Sequence, residues 1–361
     1  SASFSSAAQL RGFVITGNTF SGINTADTSP TYLVKLGRSS LFTTPTDQAT
    51  CTHDNSVVGL TFANNSASNV GSGLIYLNNA TKSATYPTLA IYNNTLNSAV
   101  ANVGISVFYS LGVDTYGNTV SNITPMSSQS YLDGAGIGYD FCNSGGRIFR
   151  NYIYDIPGST LGSAELNGQG IEIFASGING SLGGIEVFGN VILRAKKGLF
   201  LGDDVSPSIA TPAHKIYNNT IVDSVADGVE TAFTVEQENT FYNNIVKGSG
   251  RYGINKGKVG SGGQLQMANN TLFSNATNYG TQTQTVDATA VNSDPSFTGG
   301  TSPATAAGFK LTAGSALRRT GKDLNLGNIQ DNGNRAFLHP PSIGAWEAAS
   351  GDAAAARTTR Q

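Results

Sequence analysis

Ile216-Tyr-Asn-Asn219-Thr-Ile recurs with small changes along most of this chain. Copies stand at Val14-Ile-Thr-Gly-Asn18-Thr-Phe, Ala90-Ile-Tyr-Asn-Asn94-Thr-Leu and Val113-Asp-Thr-Tyr-Gly-Asn118-Thr-Val. Others are Ile148-Phe-Arg-Asn151-Tyr-Ile, Val187-Phe-Gly-Asn190-Val-Ile, Phe241-Tyr-Asn-Asn244-Ile-Val and Met267-Ala-Asn-Asn270-Thr-Leu, with Leu60-Thr-Phe-Ala-Asn-Asn65 a weaker version. The spacing runs from 24 to 47 residues, the range in which self-similarity marks stacked repeats.

Between the copies lies a second motif, a Gly followed by alternating apolar residues. It occurs as Gly104-Ile-Ser-Val, Gly136-Ile-Gly-Tyr, Gly170-Ile-Glu-Ile, Gly198-Leu-Phe-Leu, Gly228-Val-Glu-Thr and Gly253-Ile-Asn. Period-two alternation is the mark of a strand with one buried face. One coil therefore reads as Gly, strand, loop, strand, Asn turn, strand. Counting the Asn turns predicts an all-β, right-handed parallel β-helix, a solenoid of about nine coils with almost no α-helix. Asn suits the corner because it tolerates a left-handed backbone. Stacked amides can also hydrogen-bond from coil to coil, which satisfies polar groups in the interior. The Asn series is thus expected to be a structural ladder.

Composition agrees. Charged residues make up only 12% of the chain, net charge is −2, and there are 44 Gly. Good helix formers are scarce, and apolar residues recur too regularly for disorder. No basic stripe with interleaved aromatics points to nucleic acid. No apolar run has the length of a membrane span.

The Gly-Ile-x-Ile and Asn-Asn-Thr-Ile copies resemble the right-handed parallel β-helix proteins of the pectate-lyase-like superfamily. Ser293-Asp-Pro-Ser-Phe297, Phe309-Lys-Leu-Thr-Ala-Gly-Ser315 and Pro341-Ser-Ile-Gly-Ala-Trp-Glu347 resemble the closing segment of bacterial members. Ala316-Leu-Arg-Arg319 departs from it. The resemblance covers roughly residues 10–347. It implies an extracellular or cell-surface protein acting on or binding polysaccharide, but the fold also hosts non-enzymatic adhesins. The expected organisation is one domain over 1–347, with coils in 10–275, a closing segment in 276–347 that ends the helix with Trp346, and a flexible tail in 348–361. The N-terminal coil lacks a capping helix, and a bare sheet edge invites self-association.

Alternation also assigns faces. If Ile171 and Ile173 point in, Glu172 points out, and by the same count so do Ser106, Asp140, Phe200, Glu230 and Asn255. Glu172 and Glu230 fall two coils apart, roughly 10 Å at the strand spacing. Two carboxyls at about 5–10 Å can divide the acid and base work of glycoside hydrolysis. Asp203 and Asp204 follow the strand of Phe200, and Arg194 and Lys197 precede it. A lyase needs such a cation to neutralise a uronate carboxylate, together with a base. Glu172, Asp203, Glu230, Lys197 and Arg194 are the catalytic candidates. Asp140, Asp204, Phe200 and His214 are candidates for substrate binding. Converging carboxylates could also hold Ca²⁺. The competing expectation is a non-catalytic adhesin or filament subunit, whose exposed acidic residues only solubilise the strand face. Cys51 and Cys142, separated by several coils, are expected to be unbonded.

Overall fold

The structure is a computed structural model that describes residues 9–22, 32–37, 55–99, 103–124, 134–158, 168–175, 183–203, 213–232, 239–256, 265–280, 286–326 and 329–347. The chain winds through three sheets in which the strands of successive coils pair in parallel. The first sheet has ten strands, running from Leu10–Thr16 to Gln266–Ala268. The second has nine, from Thr19–Ser21 to Thr271–Phe273, and the third has nine, from Tyr32–Leu36 to Thr277–Tyr279. This is a parallel β-helix of nine coils, with the right-handed winding that parallel crossovers adopt. The helical element among the described residues is one 3₁₀ turn, Ala306–Phe309. Inside the coil, columns of apolar side chains such as Ile75, Ile105, Ile137, Ile171, Leu199, Val229 and Ile254 form the core. Each such side chain contributes about 1.5–3 kcal/mol by leaving water.

The corner between the first and second sheets carries the Asn ladder. Asn18, Asn65, Asn94, Asn118, Asn151, Asn190, Asn219, Asn244 and Asn270 each donate Nδ2–H to the Oδ1 of the next, at 2.9–3.2 Å, and Asn270 donates to Asp287. The ladder was legible, but the reason given for Asn needs correction. The left-handed backbone belongs to the residue before each rung: Gly17, Asn64, Asn93, Gly117, Arg150, Gly189, Asn218, Asn243 and Asn269 all have φ between 52° and 70°. The rung supplies the amide, and its predecessor supplies the bend.

The leading Gly of the other motif sits at the corner between the second and third sheets. A Cβ on Gly170, Gly198 or Gly228 would lie 2.4, 2.3 or 2.2 Å from a methyl of Ile192, Ile221 or Val246. The two sheets can close on each other only where no side chain intervenes.

Asp287 and Val291 bond Asn270 at the last coil, but Trp346 does not pack at the end of the helix as expected; from Phe297 on, the C-terminal segment lies along the flank. Phe297, Phe309, Leu317, Ile343 and Trp346 pack on Val191, Leu193, Val222 and Ile245 of the second sheet. Leu324, Leu326 and Ile329 pack on Phe149, Phe188 and Tyr217 of the first. Bend residues hold its backbone: Asn218 Nδ2 donates to Ser342 O, Asn243 Nδ2 to Lys322 O and Asn269 Nδ2 to Thr320 O, at 2.8–2.9 Å. An Asn-Asn doublet thus has an outward clip and an inward rung.

The expectation of free thiols is also corrected. Cys142 is disulfide-bonded and no described cysteine is free, while Cys51 lies outside the described residues. The rise per coil, about 4.8 Å, sets the distance between strands, and Cys142 lies beyond the end of the strand Ala135–Asp140 rather than in one.

Two outcomes follow. Asn190→Ala leaves the Oδ1 of Asn219 and the carbonyl of Ile148 short of a donor, and should lower stability by about 1–3 kcal/mol in denaturant unfolding. Unfolded, unreduced protein should yield no thiol on titration, and reduced protein should yield both cysteines.

Candidate functional site

The register of the third sheet sets its outward side chains in columns. Glu172 pairs with Gly138 on one side and Phe200 on the other; Phe200 pairs with Glu230, and Glu230 with Asn255. Glu172 and Glu230 are therefore two strand spacings apart, roughly 10 Å. A second column runs beside it. Gln169 pairs with Lys197, and Gly198 N donates to Asp227 O, which carries the register on to Asp227. Each of these three residues immediately precedes a corner Gly. Because the Gly faces inward, its predecessor faces out. Running simple alternation through the Gly hides Gln169 and Asp227; the residue preceding each repeat Gly was the available signal.

Out does not mean exposed. Lys197, Glu172 and Glu230 are only 1%, 2% and 6% accessible. Lys197 Nζ donates to Glu230 Oε1 at 2.8 Å and sits 5.1 Å from the Phe200 ring centre. Arg251 donates Nε–H and Nη2–H to the two oxygens of Asp227 at 2.8 and 2.6 Å, and its Nη2 lies 3.6 Å from Glu230 Oε2. Asn255 Nδ2 donates to Asp227 Oδ2 at 2.8 Å. Burial pushes the Glu230 carboxyl up from its ordinary 4.5 to about 7. Lys197 pulls the other way, and the neighbouring Asp227 adds to the rise. A buried carboxyl that exchanges its proton near neutrality, beside an ammonium, is suited to general acid–base work.

The other expected residues lie elsewhere. Asp140 is buried in the next outward column, paired with Phe108 and Phe174. Phe200 is buried between the two glutamates, stacked on Phe174 at 6.2 Å, so its ring face is not open to a sugar. Asp203 ends the strand Lys197–Asp203, its backbone opposite Ala175. Asp204 lies outside the described residues. Arg194 is not at the edge of this cluster: it belongs to the second sheet and is committed to Asp155 through bonds of 2.6 and 3.0 Å. His214 is not a cation here. It is buried at the start of a first-sheet strand, where burial lowers it to about 4. Among the described residues no group of three or more His, Cys, Asp or Glu side chains converges as a metal site. With Glu230 and Asp227 already bonded to cations, these residues do not fit Ca²⁺.

Fold and face together define a right-handed parallel β-helix protein with a buried charged cluster on its third sheet. No family model matches the chain, and no curated protein matches it. The solved structures to which it is similar include two parallel β-helix proteins. One is a complex of XylC with xylose, at 12% identity and a TM-score of 0.39, covering 66% of this chain and 48% of that one. The chain thus spans about half the length of that protein. The other is the pectate lyase Pel9A, at 14% identity and a TM-score of 0.27, covering 95% of this chain and 90% of that one. Among the described residues no helix is long and apolar enough to cross a membrane.

Glu230 binds its proton more tightly folded than unfolded. Its contribution to stability is therefore full below about pH 4.5 and is lost as pH rises through about 7, a change on the order of 3 kcal/mol. Glu230→Gln does not titrate and should lack that decline. Urea unfolding of both proteins across this range measures the difference, and parallel curves would refute the assignment.

Proposed function

We propose that this chain is an extracellular polysaccharide-binding and polysaccharide-cleaving protein, of glycoside hydrolase or polysaccharide lyase type, acting at the outer face of the third sheet. One observation carries the reading: Glu230, with a proton affinity near neutrality, is paired to Lys197 and stands two strands from Glu172. In a hydrolase, Glu230 would protonate the leaving oxygen and Glu172 would activate water, at a separation in keeping with an inverting pair. In a lyase, Lys197 would pass its own proton to Glu230 and, as the neutral amine, take the proton beside the carboxylate. Asp203, at the end of the same strand, is a further candidate. The disulfide at Cys142 fits an oxidising, extracellular setting.

A second reading, a non-catalytic adhesin or filament subunit, is favoured by the near-complete burial of Glu172 and Lys197. Buried ion pairs can serve to specify one packing.

A panel of acidic and neutral polysaccharides decides between them, read by reducing ends and by the absorbance of unsaturated products. Glu230→Gln should lower turnover at least about 100-fold while remaining folded. Loss in Lys197→Met together with unsaturated products would identify a lyase. A panel with no member bound or cleaved would replace this reading with the second.

A further inference from the structure

We infer that a pocket on the outer face of the first sheet, beside the C-terminal segment, binds an anionic sugar unit. The pocket has a volume of about 290 Å³ and is lined by Arg147, Phe149, Arg150, Phe188, Ile329 and Gln330. It lies on a different sheet from Glu230 and does not rest on the function proposed for that residue.

Arg150 is the first argument. It occupies the bend position that precedes a ladder Asn, with φ of 55°. The same position in the eight other coils holds Gly or Asn, the residues that accept a left-handed backbone without penalty. The fold alone would not choose Arg here, and a locally disfavoured residue held in place marks a functional demand.

Its charge is the second. Arg147 is neutralised by Asp114 through two bonds of 3.0 and 2.8 Å. Arg150 donates Nη1–H to neutral acceptors, Gln330 Oε1 at 3.2 Å and Asn334 Oδ1. Its guanidinium lies 5.1 Å from the Phe149 ring and 5.7 Å from the Tyr116 ring. Asp331, the acid on the covering segment that influences it, is turned to the backbone N–H groups of Gly333, Arg335 and Glu347. Among the described residues no carboxylate is bonded to Arg150.

Shape is the third. Arg147 and Arg150, each 5.1 Å from the Phe149 ring centre, line the pocket together with the aromatic rings, Ile329 and Gln330. That combination suits a ring with an apolar face and one anionic substituent, a sugar carboxylate or sugar sulfate, which a guanidinium fork can grip with two hydrogen bonds.

Calorimetric titration of the full chain with galacturonate oligomers, galactose 6-sulfate and galactose tests this. At least one acidic probe should bind at least about tenfold more tightly than galactose and weaken with salt. Binding of the carboxylate alone or the sulfate alone identifies which group the site reads. Arg150→Asn installs the residue that five other coils carry at this bend; it should remain folded and bind the acidic probe at least about tenfold more weakly. Ile329→Trp, which fills the pocket without touching the bend, should do the same. Equal binding of galactose, no binding of either acidic probe, or unchanged binding by Arg150→Asn would overturn the inference.

Discussion

The amide-to-amide hydrogen bond between successive rungs is the contact on which the coil depends. Take Asn94. Its Oδ1 accepts from the backbone N and the Nδ2 of Asn65, at 2.9 and 3.0 Å. Its Nδ2 donates to Phe62 O and to Asn118 Oδ1, at 3.1 and 2.9 Å. Both donor hydrogens and both acceptor lone pairs are used, so a polar group sits in the core at little cost. The same set fixes the spacing and register of the two coils it joins, and so of the third-sheet columns downstream. All rungs point the same way. The last donor meets Asp287, whose other oxygen accepts from Thr289, so the aligned dipoles finish on a negative charge.

How the charges are arranged separates the two outward faces. On the first sheet, Asp114, Arg147, Glu186 and Lys215 follow one another in register, alternating in sign. Lys82 adds a further contact to Asp114 at 3.3 Å. These side chains reach solvent and add little to stability. On the third sheet the charges are covered, and desolvation rather than Coulombic pairing dominates Glu230.

Much of this was legible in the sequence. The nine rungs were read correctly because only one residue type at one corner can build such a ladder, and the apolar columns followed from period two. The roles within a doublet were not, since Asn218 and Asn219 look alike until Gly17, Gly117 and Gly189 show that the bend lies one residue earlier. Alternation placed Glu172, Phe200 and Glu230 in one column, but it cannot say what covers a face, and their burial was missed. It also failed at each corner Gly, which hid Asp227, and with it Arg251. Arg194 was placed by nearness in sequence to Lys197, yet a corner turned by three residues carries the chain to another sheet; His214 was placed in the next coil, and there it is buried beside a first-sheet strand.

The C-terminal segment changes how such a stack can come apart. In a simple coil each turn touches only its neighbours, so either end can fray independently of the middle. Here one strip of chain bridges rungs that are far apart in sequence: Gln330 and Asn334 reach Arg150, Asn332 reaches Gly189, Ser342 reaches Asn218, and Thr320 reaches Asn269. Peeling the last coil then requires loosening the strip, and loosening the strip uncovers the apolar flanks of coils well inside the stack. A column held only by nearest neighbours becomes a laced one, in which the coils from Arg150 onward melt as one cooperative unit.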